Sequence, residues 1–490
     1  MAFVWKKHPF LIGALALGVV LLATAWAARF VLAKMAIATA LREAGATEVQ
    51  FQVTKASPRL VVVEDLDLKM GLQPLSAGRV SVERARWWMA SLGTLRVEGA
   101  RVPVKIDEAR TDPSPEKKAR PTRLPLDEFS LDGQLVIQAA GAEDQALAVT
   151  IVARPDAHGK WKAQTTVAGP GLTLAGEASY ELSSGELEFR VPELALDFAP
   201  WEAFVRAVAP MPDGDWKIAG KVSGAVEGRM ADDGLVARGQ VRLREGSVSS
   251  AAGDIAAEGI EAELDFTDLV EVQTAPSSVR AREVRTGELT FGDLAAVFAL
   301  EGTDRIAVSR AAVRALGGHV TAEPFVLVPS EAAIDAVLLA EGISIEEVMA
   351  LTEDLPAQAT GRVNGRVPVR FDEEGLRFGT GWLALQPGVP AEIAFKAKGL
   401  LTGGVAPGNP RYTVLQRIES GLLKLRISEL RLDIRPPDVP AGRSAQLHLK
   451  GEPVDPEVKA PVRLDLNVNG PIEKLINMGL DSRLSIGAGK

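Results

Sequence analysis

His8, His158, His319 and His448 are the only imidazoles in the 490 residues, too scattered to suggest a metal cluster or a catalytic base. His319 follows a glycine pair and reads as a solvent-facing turn residue. Cysteine is absent, which removes thiolate metal sites, iron–sulfur clusters, disulfides and cysteine nucleophiles. The acidic pairs Asp232-Asp233 and Glu373-Glu374 have the composition of an acid–base couple. Each falls just before a glycine, Gly234 and Gly375, where hairpin turn chemistry accounts for it. Trp87-Trp88 has the composition of a carbohydrate or membrane contact, and an interfacial or core role near the amino terminus is the reading adopted. No nucleophile elbow, phosphate-binding glycine loop or His-Glu-x-x-His helix occurs. The expectation is a protein that is not an enzyme, with no catalytic residue, cofactor or metal.

What the residues do carry is alternation. Leu187, Phe189 and Val191 alternate with Glu186, Glu188 and Arg190, and Leu194, Leu196 and Phe198 continue the pattern. Late in the chain Leu423, Leu425 and Ile427, then Leu430, Leu432 and Ile434, alternate with Lys424, Arg426, Glu429, Arg431 and Asp433. A two-residue period puts apolar side chains on one face of a strand and charges on the other, and these twelve residues are the candidate lining of an apolar groove. Buried parallel strands would read as continuous apolar runs, so the expected sheet is antiparallel with one wet face. Gly 46 and Pro 30, spread along the chain, supply the turns. The chain is too long for one core, so an elongated, curled, repetitive sheet with a few short helices is expected. The short helices fall at 200–208 and at 344–351, the latter with a serine cap.

The formal net charge is −9 with both signs interspersed, which offers no basic stripe for nucleic acid. Residues 10–28 are 19 consecutive uncharged residues, enough to span a ~30 Å hydrocarbon core. Lys6 and Lys7 precede them, and Trp5 and Trp26 sit at interfacial positions. Ala25-Trp26-Ala27 also fits a signal-peptide cleavage pattern, so both readings stand. Residues 30–44 continue as a helix that Gly45 stops, which favours a retained anchor. The expected organisation is a cytoplasmic tail (1–9), a transmembrane helix (10–28), a helical extension (29–45), a first β segment (46–107), a Pro- and charge-rich loop (108–125) and a repeating β-groove (126–490).

An internal repeat supports that last assignment. Gly220, Gly224, Gly234 and Gly246 recur as Gly361, Gly365, Gly375 and Gly388, with 14 residues from first to hairpin glycine in both copies. A one-faced meander of this kind is either a sandwich, whose sheets cover each other, or a single trough whose apolar face binds something else. For a trough the natural occupant is acyl chains.

These segments resemble the YdbH family of AsmA-like envelope proteins. The resemblance rests on Ala40 to Gly45, on Gly317-Gly318-His319-Val320 leading to Pro324-Phe325, and on Gly361 to Val369. It extends to Gly381 to Gly388 and to Pro461 to Pro471. It implies a laterally open groove that carries phospholipid, an inner-membrane anchor with the bulk of the chain in the periplasm, and a partner at the outer membrane such as a small lipoprotein. An envelope scaffold without lipid cargo is the alternative reading, and an enzyme regulator or cryptic hydrolase a further one.

Overall fold

In the computed structural model the described residues run from 30 to 469, apart from 85–92, 106–125, 209–214, 351–356, 396–401, 403–405, 436–442, 455–460 and a few isolated positions. The expected span at 10–28 and Trp87-Trp88 lie outside them. Among the described residues no helix is long and apolar enough to cross a membrane. The chain divides into two compact units, Met1–Ala209 with Ser223–Ala237, and Pro210–Val222 with Arg238–Lys490.

The first unit opens with helix α1 over residues 30–43, which ends where Gly45 turns at φ +96° and donates its N–H to the Arg42 carbonyl at 2.9 Å. Nine strands follow: β1 (Ala46–Ala56), β2 (Leu60–Met70), β3 (Gln73–Glu83), β4 (Thr94–Lys105), β5 (Glu128–Gln138), β6 (Gln145–Pro155), β7 (Lys160–Gly169), β8 (Leu172–Glu181) and β9 (Glu186–Asp197). Each pairs with the next. A 3-10 turn, Ala199–Trp201, and helix α2, Glu202–Val208, then lead to β10 (Lys217–Ala231) and β11 (Gly234–Ser250), which contribute residues to both units.

The second unit continues with β12 (Ile255–Asp268), β13 (Gln273–Thr274), β14 (Ser277–Thr286), β15 (Leu289–Leu300), β16 (Ile306–Ala315), β17 (Gly318–Ala322), β18 (Phe325–Leu327) and β19 (Ile334–Ser344). Helix α3 (Ile345–Ala350) follows, and Ser344 Oγ accepts the Glu347 N–H at 3.4 Å, the cap expected from sequence. Then come β20 (Ala357–Thr360), β21 (Arg362–Asp372), β22 (Gly375–Phe378), β23 (Gly381–Leu385), β24 (Glu392–Phe395), helix α4 (Tyr412–Leu423), β25 (Lys424–Ile434), β26 (Arg443–Pro453) and β27 (Val462–Asn469).

Two expectations are corrected. The sheet is mixed, because β4 and β5 run parallel from Thr94↔Glu128 to Lys105↔Gln138. A parallel pair needs a crossover of a dozen or more residues, which the Pro-rich segment between them supplies. Alternation reports which face a residue occupies and is blind to strand direction. The second correction is Leu423, expected in a strand and found as the last residue of α4. Thr413, Val414, Ile418 and Gly421 are poor helix formers and hid the helix.

At the parallel seam Gly133 is buried against Ala100, and a methyl group there would run into the Ala100 carbonyl oxygen and side chain. Gly133→Ala is expected to destabilise the chain by about 1–3 kcal/mol, since the clash is with backbone that cannot swing away. Gly141→Ala is not a fair control because its φ is +83°. Ala148→Ser, on the exposed polar side of the adjacent strand, is one. Denaturant melts of the two variants, equal within error, would remove the close-approach account.

Candidate functional site

Cross-strand pairing carries one apolar face across successive strands of each unit. In the first unit, directly paired residues form the row Val53–Val63–Val80–Val97–Leu131–Ile151–Thr165–Gly176. A second row lies two residues along β2 to β8 and, across a bulge, three along β1: Ala56–Val61–Val82–Leu95–Phe129–Ala153–Ala163–Ala178–Phe189. At ~4.8 Å between strands, eight strands give an apolar path of about 34 Å.

The second unit repeats the arrangement. One row is Leu243–Ala262–Val279–Ala296–Ala311–Ala322–Leu338–Val367. Its neighbour is Val313–Val320–Ala340–Gly365–Leu383–Leu432–Leu447–Leu466. Most of these residues are half-buried, neither sealed as in a closed core nor exposed like their charged neighbours.

Each buried cluster among the described residues is built from neighbouring strands of the same sheet, joined in one case by a helix. Leu147, Trp201 and Phe204 pack with Leu135, Ile137, Val167, Leu172 and Leu196 at the edge where α2 sits. The Trp201 and Phe204 rings meet edge to face at 5.6 Å, and the indole N–H donates to the Pro170 carbonyl at 2.7 Å. Ala153, Trp161 and Leu182 close the opposite, hairpin edge. None of these clusters joins two facing sheets, as a sandwich core would. The first unit therefore presents an open apolar strip between two packed edges.

The twelve residues singled out in the sequence fall as follows. Leu187, Phe189, Val191, Leu194 and Leu196 are half-buried on β9, and Phe198 lies just past it at the start of the 3-10 turn. The change from odd to even numbering is absorbed by a bulge: Glu177 pairs Arg190 while Ala175 pairs Glu193, so both triplets share one face. On β25 a second bulge, between Ile427 and Glu429, does the same for Leu425 and Ile427 against Leu430, Leu432 and Ile434. Leu430 and Leu432 are half-buried. Leu425 is 0% exposed and Ile427 and Ile434 are 5% exposed, so these three are more deeply packed than the rest of the set. Leu425 and Ile427 pack with Ala391 and Leu449, and α4 lies against β24, β25 and β26 at this end. Val53, Val63, Val80, Val97, Leu131 and Ile151 stand in the row but were not among the twelve, although Leu95 and Val97 alternate with Arg96 and Glu98 in the sequence.

The other face is charged and internally paired. Arg154 meets Glu128 at 2.8 Å, Lys450 meets Glu429 at 2.6 Å and Lys424 meets Glu392 at 2.8 Å, all across neighbouring strands. Arg366 donates to Glu323 at 2.9 Å and 3.2 Å, which holds that carboxyl below its ordinary range. Asp465 is likewise held low, chiefly by its 2.6 Å hydrogen bond with His448, with Arg463 adding to it. Exposed pairs of this kind stabilise little and keep the face wet. One concavity includes Arg431, His448, Arg463 and Asp465 among a mixed polar and apolar lining. His319 is exposed opposite Arg314 and Glu341, and the His158 N–H caps Asp156 at 2.9 Å in a turn. Among the described residues no group of three or more His, Asp or Glu could hold a metal ion.

Residues 174–389, a little under half of the chain, match the family described as YdbH-like: Intermembrane phospholipid transport protein YdbH. The match bears out the resemblance read from the sequence. It contains both copies of the glycine repeat and the segments Gly317 to Phe325, Gly361 to Val369 and Gly381 to Gly388, while Ala40 to Gly45 and Pro461 to Pro471 lie outside it. No curated protein and no solved structure matches the chain.

Proposed function

We propose that the chain carries phospholipid between the inner and outer membranes along the apolar face of its sheet. The observation that carries this reading is the unbroken cross-strand row from Val53 to Gly176, apolar but for Thr165 and covered by no second sheet among the described residues. A lipid crossing water exposes its chains at about 0.8 kcal/mol per methylene, so even ten methylenes cost about 8 kcal/mol. A continuous apolar row removes that barrier without covalent chemistry, and headgroups stay in water at the open side. The family match to 174–389 supports the same cargo.

In this reading the segment 10–28 is a retained single-pass anchor in the inner membrane and the strands stand in the periplasm. An outer-membrane partner such as a small lipoprotein receives the lipid. The test uses the full-length chain in cells, with a photo-crosslinking amino acid at Thr165 on the row or at the adjacent exposed Thr166. Phospholipid adducts are expected at 165 and at background level at 166, read by mass spectrometry. Equal, background yields at both positions would favour the scaffold without cargo. Protection of the strands from external protease in whole cells, lost on opening the outer membrane, tests the location.

A further inference from the structure

Helix α1 is apolar on more sides than the sheet can cover. Between residues 30 and 41 its only polar side chains are Lys34 and Thr39. Phe30, Ala33, Ile37 and Leu41, at spacings of three and four, form the half-buried stripe. Val31 and Met35, one turn apart on another side, are 61% and 63% exposed. A helix apolar nearly all round is stable inside a protein or against lipid, and here nothing among the described residues covers the second side.

A second observation lies on the same edge of the same unit. Met70 ends β2 directly opposite Ala46, the first residue after the α1 turn, and it is 43% exposed at a hairpin whose Gly71 has φ +63°. Strand direction puts the start of β1 and the end of β2 at one edge, so Met70 stands beside the carboxy-terminal end of α1. Lys34 reaches back over the Phe51 ring at 5.8 Å, and Arg42 stands exposed one turn before Met70's neighbour Ala46. Cations flanking exposed Val and Met side chains are the pattern of a helix lying in a membrane interface, with amines near the headgroups. The 19 uncharged residues at 10–28 lead directly into it.

We propose that the exposed side of α1 and the Met70 turn are seated in the bilayer, and that phospholipid passes there from the membrane onto the first row of the sheet at the half-buried Val53 and Val80. The inference rests on the lipid-carrying reading and adds where cargo boards. It also explains why the chain tolerates three large exposed apolar side chains at one edge.

The absence of cysteine makes the test clean, since M35C, M70C and V270C each give a single labelling site. Val270 is 48% exposed in a turn of the second unit and serves as the water-facing control. Each full-length variant carries an environment-sensitive NBD label and is reconstituted in vesicles of phosphatidylethanolamine and phosphatidylglycerol. NBD at 35 and 70 should brighten several-fold over the label at 270 and resist aqueous iodide. A label at 35 as quenchable as that at 270 overturns the proposal. In the same vesicles, Met35→Glu should slow lipid loading about tenfold while leaving the melting temperature unchanged, because the side chain makes no packed contact to lose. Wild-type loading with no loss in Met35→Glu would also overturn it. Failure of the wild type to load, with 35 and 70 still shielded, would sink the carrier reading and leave the membrane seat standing.

Discussion

Leu425→Glu is expected to unfold the carboxy-terminal strands of the second unit. Leu425 has no exposed surface, pairs with Ile393 on one side and Pro453 on the other, and packs with Ala391, Ile427 and Leu449. A carboxylate there has no cation on its own face, since Lys424 and Arg426 alternate to the other side. An unpaired buried charge costs about 3–5 kcal/mol even after relaxation. In a unit of this size that is roughly a 10 °C drop in Tm. Arg426→Gln removes an exposed residue beside Glu392 and Glu452 and should change Tm by about a degree or less. Calorimetry of the two variants decides the point. A Leu425→Glu protein that melts with the wild type would mean that this end is as open as the rest.

The contrast between that end and the remainder was only partly legible in the sequence. Alternation at Leu187 to Val191 and at Leu430 to Ile434 reports one apolar face, because a side chain's direction in a strand follows from its number alone. Three features lie beyond that rule. The parity changes at Val191–Leu194 and Ile427–Leu430 read as a switch of face until the bulges supply the extra residue that restores it. The parallel β4–β5 pair is set by a crossover whose sequence is Pro-rich and carries no period. Helix α4, which lies against this end, was hidden as well: its half-buried Tyr412, Leu415 and Leu423 are accompanied on the inner side by Glu419. A glutamate on the inner side breaks the apolar signature. In the structure Glu419 is 7% exposed and accepts hydrogen bonds from the Thr402 N–H at 3.0 Å and hydroxyl at 2.8 Å. A buried polar group that is satisfied costs little, yet nothing in the sequence announces its partner 17 residues away. The apolar rows were missed for a related reason. Their continuity is a property of register, and register between distant segments such as Val97 and Leu131 is not written in either segment by itself.

Ile151→Lys is expected to abolish lipid passage through the first unit while leaving it folded, and its neighbour Thr150 provides the control. Ile151 stands in the central row between Leu131 and Thr165, half-buried, with strands on both sides. Thr150 is exposed on the polar face, between Asp132 and Thr166. The two positions share a strand, a backbone geometry and a distance from both edges, and differ in which face they serve. A lysine at 151 can turn its amine toward the open side and keep its water, so the folding cost should be about 1–2 kcal/mol, that of losing one half-buried aliphatic side chain. Acyl chains sliding along the row then meet a hydrated cation, and passing it means stripping that hydration or lifting methylenes back into water, each several kcal/mol. Ala153 and Ala163, in the neighbouring row, are packed with Trp161 and Leu182 at the closed edge, so they offer no detour. Thr150→Lys places the same charge opposite Asp132 and should leave transfer untouched. Lipid transfer between donor and acceptor vesicles, together with bound phospholipid per chain, reads both variants. A loss greater than tenfold in Ile151→Lys with Thr150→Lys at the wild-type rate places the cargo on the apolar face. Equal rates in both variants, with both proteins folded, would mean that lipid does not travel over Ile151 at all.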